Sequence, residues 1–337
     1  MTLRIEISPL DGIDRVPGWE HTVEAAGAPV FYSSKFLSSV ATAPLLPADR
    51  ASLLLLHDNG DVIAGVPAFH QRPIDRLRFL APLHSEFPDL PSSTGLLSHC
   101  WHCYDTRIVS AVSRIEQLQL LIDPLRDLAR TMNTDYFGLI NVSDPRTLAV
   151  MTSAGLTPRY MLDRYVMDLT GYLSFDDYVA ALHPDSRREL RRQFRRYQES
   201  TAEMAVESTP VRDLDEVVSL CHQTTAQHGT GFYYPEEELK LLLTNMGEAL
   251  RLFSVRHEGE RVGVIVGFSD PPRLHLWAAG MSYGRTAFSP YAIGMAEAVR
   301  YAIAHGMTML EGGRGNGRVK LKQGFTPLRL YACLQTA

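Results

Sequence analysis

"LLLLHDNGDVIAGVPAF" (53–69) has an echo far along the chain, "LFSVRHEGERVGVIVGF" (252–268). Each copy runs an apolar strand into a histidine, turns on an acidic residue and a glycine, and re-enters a strand in which Gly precedes Val. Asp58, Asn59 and Gly60 supply one turn and Glu258 and Gly259 the other, residue types that accept the positive φ a tight hairpin demands. One hairpin of this kind is commonplace. Two matched copies predict a duplicated α/β domain.

The flanking segments agree. In the first half, 114–132 has helical periodicity, "DYFGLINV" (135–142) reads as a strand, and "DPRTLAVMTSAG" (144–155) reads as an Asp-capped helix closed by glycine. In the second half, helical stretches precede the hairpin. The strand "RLHLWAAGM", the helix "YAIGMAEAVRYAIAHG" and the strand "MTMLEGG" follow it. The expected fold is α/β, two units in tandem, each a mixed central sheet flanked by helices. The expected division lies near residue 165, giving units 1–165 and 166–337, a reasonable partition for 337 residues.

Composition narrows the class. A hydrophobic share of 45% with 21% charged residues is that of a soluble globular chain. Apolar runs such as "LLLL" (53–56) are too short to cross a bilayer, so no membrane insertion is expected. The acidic residues of "MTLRIEISPLDGIDRV" do not suit a signal peptide, which points to a cytoplasmic protein. A formal net charge of −5 argues against DNA binding driven by overall charge, so any polyanion must meet a local basic patch. "SHCWHCYD" places His99, Cys100, His102 and Cys103 together, but no second pair at metal spacing accompanies it. The stretch reads as a loop, and no metal is expected.

One basic patch is plain. "HPDSRRELRRQFRRYQES" (183–200) opens on Asp185 or Ser186 as N-cap and sets Arg187, Arg191 and Arg195 four residues apart, with Arg188, Arg192 and Arg196 beside them. Leu190, Phe194 and Tyr197 form an apolar stripe on another side. Arginine forks suit phosphate oxygens. The same spacing also serves a solvated helix face.

A second concentration lies near the end, "LEGGRGNGRVKLKQGF" (310–325). Glu311 ends an apolar strand, the position at which open α/β sheets bind ligands. Gly312, Gly313 and Gly315 read as a loop in which backbone can approach a ligand, and Lys320 and Lys322 could return charge to the same crevice. The spacing is neither a Walker loop nor a dinucleotide fingerprint, since no helix plainly follows the glycines.

Read in order, "SFDDYVAALHPDSRRELRRQFRRYQES", "YAIGMAEAVRYAIAHGMTMLEGG" and "VKLKQGFTP" resemble the Fem-type (FemAB-like, peptidoglycan-biosynthesis-protein-like) branch of the GNAT-fold acyltransferases. The resemblance covers most of 136–337, and the first half through its repeat. It implies tandem GNAT domains with the active crevice in the second. Glu311, Gly313, Lys320, Gly324 and Phe325 match the family's acidic strand end, glycines, lysine and Gly-Phe, with Lys322 as the alternative alignment of the lysine. Two departures stand out. The helical-hairpin arm of the cell-wall enzymes is missing, and "GRTAFSPYAIG" replaces the usual acetyl-CoA signature.

The implied reaction moves an acyl or aminoacyl group from an activated ester or thioester to an amine of a small molecule or peptide. The co-substrate is aminoacyl-tRNA, slightly favoured, or acyl-CoA, with no tightly bound cofactor. Lys320, with Lys322 in reserve, would stabilise the oxyanion or a phosphate. Glu311 would act as base or hold the acceptor ammonium, with His275 and Tyr283 as weaker base and acid. Arg187, Arg188, Arg191 and Arg192 would hold donor phosphates, of CoA or of a tRNA partner. Ser289 and Cys221 lack the setting of a nucleophile. The alternatives are an acyl-CoA-dependent N-acetyltransferase of a small amine and a catalytically silent GNAT-fold protein that binds RNA or a partner.

Overall fold

The computed structural model describes residues 2–337 and divides into two compact units. One runs to Asp163 and includes Arg329–Ala337; the other is Arg164–Leu328.

In the first unit β1 (Leu3–Pro9) leads through α1 (Trp19–Ala25) and α2 (Ser34–Thr42) to the hairpin β2 (Ala48–Asp58) and β3 (Asp61–Gln71). Asp58 pairs with Asp61 across a turn in which Asn59 and Gly60 take φ of 52° and 100°, as the sequence requires. Then come β4 (Gly95–Ser98), β5 (Val109–Ser110), α3 (Ile115–Gln119), α4 (Ile122–Thr131), β6 (Tyr136–Val142) and α5 (Pro145–Ser153). The 114–132 stretch is two helices because Pro124 offers no N–H to Leu120 and its ring crowds that carbonyl. Asp144 caps α5 as expected, its carboxylate accepting from the Thr147 N–H.

After β7 (Pro158–Asp168), the second unit holds α6 (Phe175–Ala181), α7 (Pro184–Gln198), β8 (Glu203–Ser208), α8 (Leu214–Gln227) and α9 (Glu236–Met246). The hairpin β9 (Leu250–His257) and β10 (Glu260–Asp270) follows, then β11 (Arg273–Met281), α10 (Pro290–Ala304), β12 (Met309–Arg314) and α11 (Gly317–Lys322). The last strand is β13 (Thr326–Thr336). Glu258 and Gly259 turn the second hairpin with φ of 53° and 81°.

Sheet order reveals the repeat. The first unit runs β1-β2-β3-β4-β6-β13, antiparallel as far as β4, parallel between β4 and β6, antiparallel again at β13. The second runs β8-β9-β10-β11-β12-β7 with the same sequence of directions. Both place helix in the parallel crossover, α3 and α4 in one and α10 in the other. The second core gathers Phe253, Ile265, Leu274 and Leu310 from the sheet against Met295, Ala298 and Val299 of α10 and Tyr178 of α6. Burial at roughly 25 cal/mol per Å² of apolar surface makes such a layer the main stabilising term.

Three sequence expectations change here. Gly312 and Gly313 belong to β12 and not to a loop. A short helix, α11, follows the glycines. The N-cap of α7 is His183, whose ring accepts from the Asp185 N–H, because Pro184 is already pre-organised for the first helical position. Cys100 and Cys103 are buried free thiols, and burial pushes His99 down to about 3 while its Nε2 lies 3.1 Å from the Phe31 carbonyl. Among the described residues, no group of three or more His, Cys, Asp or Glu side chains could hold a metal, and no helix is long and apolar enough to cross a membrane.

Candidate active site

The second sheet opens at its parallel junction. β11 and β12 pair only through Arg273–Met309, Leu274–Leu310 and His275–Glu311. Past that point β11 continues to Met281 and β12 to Arg314 with no rung joining them among the described residues, so the strand ends form a fork. In open α/β sheets such a divergence beyond the carboxyl ends of parallel strands is where ligands bind.

His275 and Glu311 stand side by side at the base of the fork, both essentially buried. Arg164 of β7 brings Nη1 to 3.7 Å from Glu311 Oε2, so the carboxylate sits beside a buried guanidinium. His275 Nε2 lies 3.1 Å from Asp270 Oδ2, an acid that also holds Arg273 at 2.9 Å. Above the base, Arg314 Nη2 donates to the Tyr233 hydroxyl at 3.0 Å and ties the 3-10 turn Gly231–Tyr233 to the tip of β12.

A bulge shapes that tip. The register of β12 on β7 shifts between Glu311 and Gly313, and a Cβ on Gly312 would meet the Phe325 ring at 2.8 Å. The chain then reverses through Gly315 at φ 74° into α11, which carries Lys320 back underneath. Lys320 is only 4% exposed. Its Nζ donates to the carbonyls of Arg314 at 2.9 Å and Gly313 at 3.4 Å and lies 5.5 Å from the centre of the Tyr165 ring. No carboxylate lies within ion-pairing distance of it among the described residues. Burial, helped by the Arg314 guanidinium, pushes the amine down to about 7.

The other expected residues lie elsewhere. Lys322 is exposed on α11, and Tyr283 is exposed in the turn after β11. α7 lays Leu190, Phe194 and Tyr197 against the core and turns its arginines outward. Arg187, Arg188, Arg191 and Arg195 with Pro184 line an open hollow of about 620 Å³. Arg192 flanks it, 2.7 Å from Glu189. Sequence reasoning did not single out Arg164, Tyr165, Tyr233 or Arg314. Only Arg314 carried a signal, its place within the glycine-rich stretch.

Comparison with known proteins bears on the fold. A family model described as an acetyltransferase (GNAT) domain matches residues 184–321, from the start of α7 into α11. The crystal structure of FemX is similar over 98% of this chain and 97% of its own, at 11% identity and a TM-score of 0.64. A tandem GNAT protein from the clavulanic acid biosynthesis pathway is similar over 99% and 98%, at 12% identity and 0.54. L-PGS from Bacillus licheniformis is similar over 97% and 93%, at 11% identity and 0.59. At such identities the likeness is one of fold. No curated protein sequence matches the chain. Residues 184–321 thus match a GNAT acetyltransferase domain model, and the chain has the tandem GNAT fold.

Proposed function

We propose that the second unit forms amides, moving an acyl group from an activated donor to an amine of a small molecule or peptide, with aminoacyl-tRNA as the favoured donor. In this reaction a new C–N bond forms while the ester C–O bond breaks. The ammonium proton passes to a base, and the departing ribose oxygen takes up a proton. The observation that carries the reading is the amine of Lys320, buried beneath the tip of β12, held by two carbonyls and, among the described residues, by no carboxylate. A cation so placed favours negative charge, whether on the oxyanion of the tetrahedral intermediate or on a donor phosphate.

Glu311 is the proposed base or acceptor-ammonium site, with Arg164 fixing its orientation. His275 would support it from the neighbouring rung, and Tyr283 and Lys322 would act from the exposed margin. A second reading, acyl-CoA-dependent N-acetylation of a small amine, is favoured by the match to an acetyltransferase domain model.

The test is incubation with labelled aminoacyl-tRNA and, separately, with acyl-CoA, across a panel of amines, with amide products detected by mass. Product from aminoacyl-tRNA is expected, with turnover of Lys320→Ala lower by about a hundredfold or more. Product from acyl-CoA alone would establish the second reading. Amide formation that survives Lys320→Ala unchanged would remove the lysine from the mechanism.

A further inference from the structure

The second unit offers an anion two places, the N-terminus of α10 and the arginine-rich outer face of α7. The first is closed by α7 itself. Gln193 Oε1 accepts the Ser289 N–H at 2.7 Å, Pro290 has no N–H, and the Ser289 hydroxyl takes the Ala292 N–H at 3.2 Å. Arg196 Nη1 donates to the Ala287 carbonyl at 3.2 Å, and Phe288 is buried against Tyr197 and Ile293. The donors with which a helix N-terminus would grip a diphosphate are therefore mostly consumed inside the protein.

The second place is open and charged. α7 carries six arginines against Asp185 and Glu189, a local charge of +4 (six minus two) in a chain of net charge −5. Arg188 is held by Asp185 and Arg192 by Glu189, whereas Arg191 and Arg195 have no ion pair among the described residues. Arg187, Arg191 and Arg195 recur every fourth residue, about 6 Å apart along the axis and about 12 Å end to end. That interval matches successive phosphates on a nucleic-acid strand and is far wider than the two phosphorus atoms of a diphosphate.

We infer that the outer face of α7 binds the sugar–phosphate backbone of RNA, with Arg187, Arg191 and Arg195 each engaging one of three successive phosphates. The inference rests on the proposed use of an RNA-borne donor, yet it concerns binding alone and is tested without transfer. The probe is a labelled RNA hairpin with a single-stranded 3′ end and no aminoacyl group, titrated with the full chain by fluorescence anisotropy.

With about three phosphates neutralised, affinity should weaken by roughly thirtyfold between 50 and 200 mM salt. Arg191→Gln with Arg195→Gln should remove most of that salt dependence, because these side chains support no internal contact. Gln193→Ala, which opens the α10 end and spares the stripe, should bind RNA as the unaltered chain does. Free CoA in excess should not displace the hairpin.

Competition by CoA at comparable occupancy, loss of binding in Gln193→Ala alone, or binding indifferent to the double arginine variant would overturn the inference. So would preference for vesicles containing anionic lipid over RNA. RNA binding without any amide product would sink the acyl-transfer reading and leave this one standing. Amide formation from acyl-CoA in a chain that ignores RNA would do the reverse.

Discussion

Replacing Lys320 by methionine should make the protein more stable near neutral pH while removing most of its turnover. The lysine amine is held at about 7 against an ordinary value of 10.5, because burial disfavours its cation and Arg314 adds repulsion. Between those values the unfolded chain binds a proton that the folded chain does not, so stability rises with pH through this window. Taking 1.36 kcal/mol per pH unit, the full difference approaches about 5 kcal/mol, of which about 4 remains uncompensated at pH 7. Methionine fills a similar space without charge but loses the two hydrogen bonds to Gly313 and Arg314, each worth about 1 kcal/mol. The expected net gain at pH 7 is about 2 kcal/mol.

The sharper measurement is a difference of curves. From pH 7 to pH 9 the unaltered chain should gain about 2 kcal/mol from Lys320 alone, and Lys320→Met should gain nothing from that position. Urea denaturation of both proteins at several pH values reads this directly. Other groups that titrate at high pH, such as the buried Cys221 and Cys333 pushed up to about 12, act on both proteins and cancel. Parallel stability curves for the two chains would show that this amine titrates normally, and the electrostatic case for its catalytic role would fail.

The same lysine shapes the rate profile. If its cation faces the oxyanion, kcat/KM should fall as pH rises through about 7, and Lys320→Arg should retain activity at higher pH; a profile flat from 6 to 8 would contradict this. In the first unit Gly138 has φ 145°, and a Cβ there would meet the Cys333 carbonyl oxygen at 2.0 Å. Gly138→Ala should therefore destabilise by about 3 kcal/mol or more, and a midpoint shift worth under about 1 kcal/mol would contradict the β6–β13 register. Arg261, buried on β10, donates to Glu207 at 2.5 Å and bonds the Ser254 hydroxyl. Arg261→Leu should cost about 3 kcal/mol, and adding Glu207→Gln should recover part of it; additive losses would show that the pair is not coupled.

What the chain reveals unaided follows from the range of the interaction that fixes each feature. Both hairpins were legible because Asn59-Gly60 and Glu258-Gly259 determine their turns within two residues. The α5 cap was legible because Asp144 acts on Thr147. The α7 arginines were legible as a stripe because helical spacing alone sets their direction. Legibility fails where the partner is remote. Tyr331 pairs with Val142, and Arg164 meets Glu311, across separations that no local pattern encodes. The glycines at 312 and 313 illustrate the cost of local reading. Composition suggests a loop, yet Gly312 is small because Phe325 packs over a bulged strand. Beyond that bulge the Gly313 and Arg314 carbonyls accept from the Lys320 amine, while burial and then the Arg314 guanidinium make the amine unusually acidic. Sequence could nominate Lys320 as a cation. Only its burial, with the Arg314 guanidinium nearby, makes it one that titrates near neutrality.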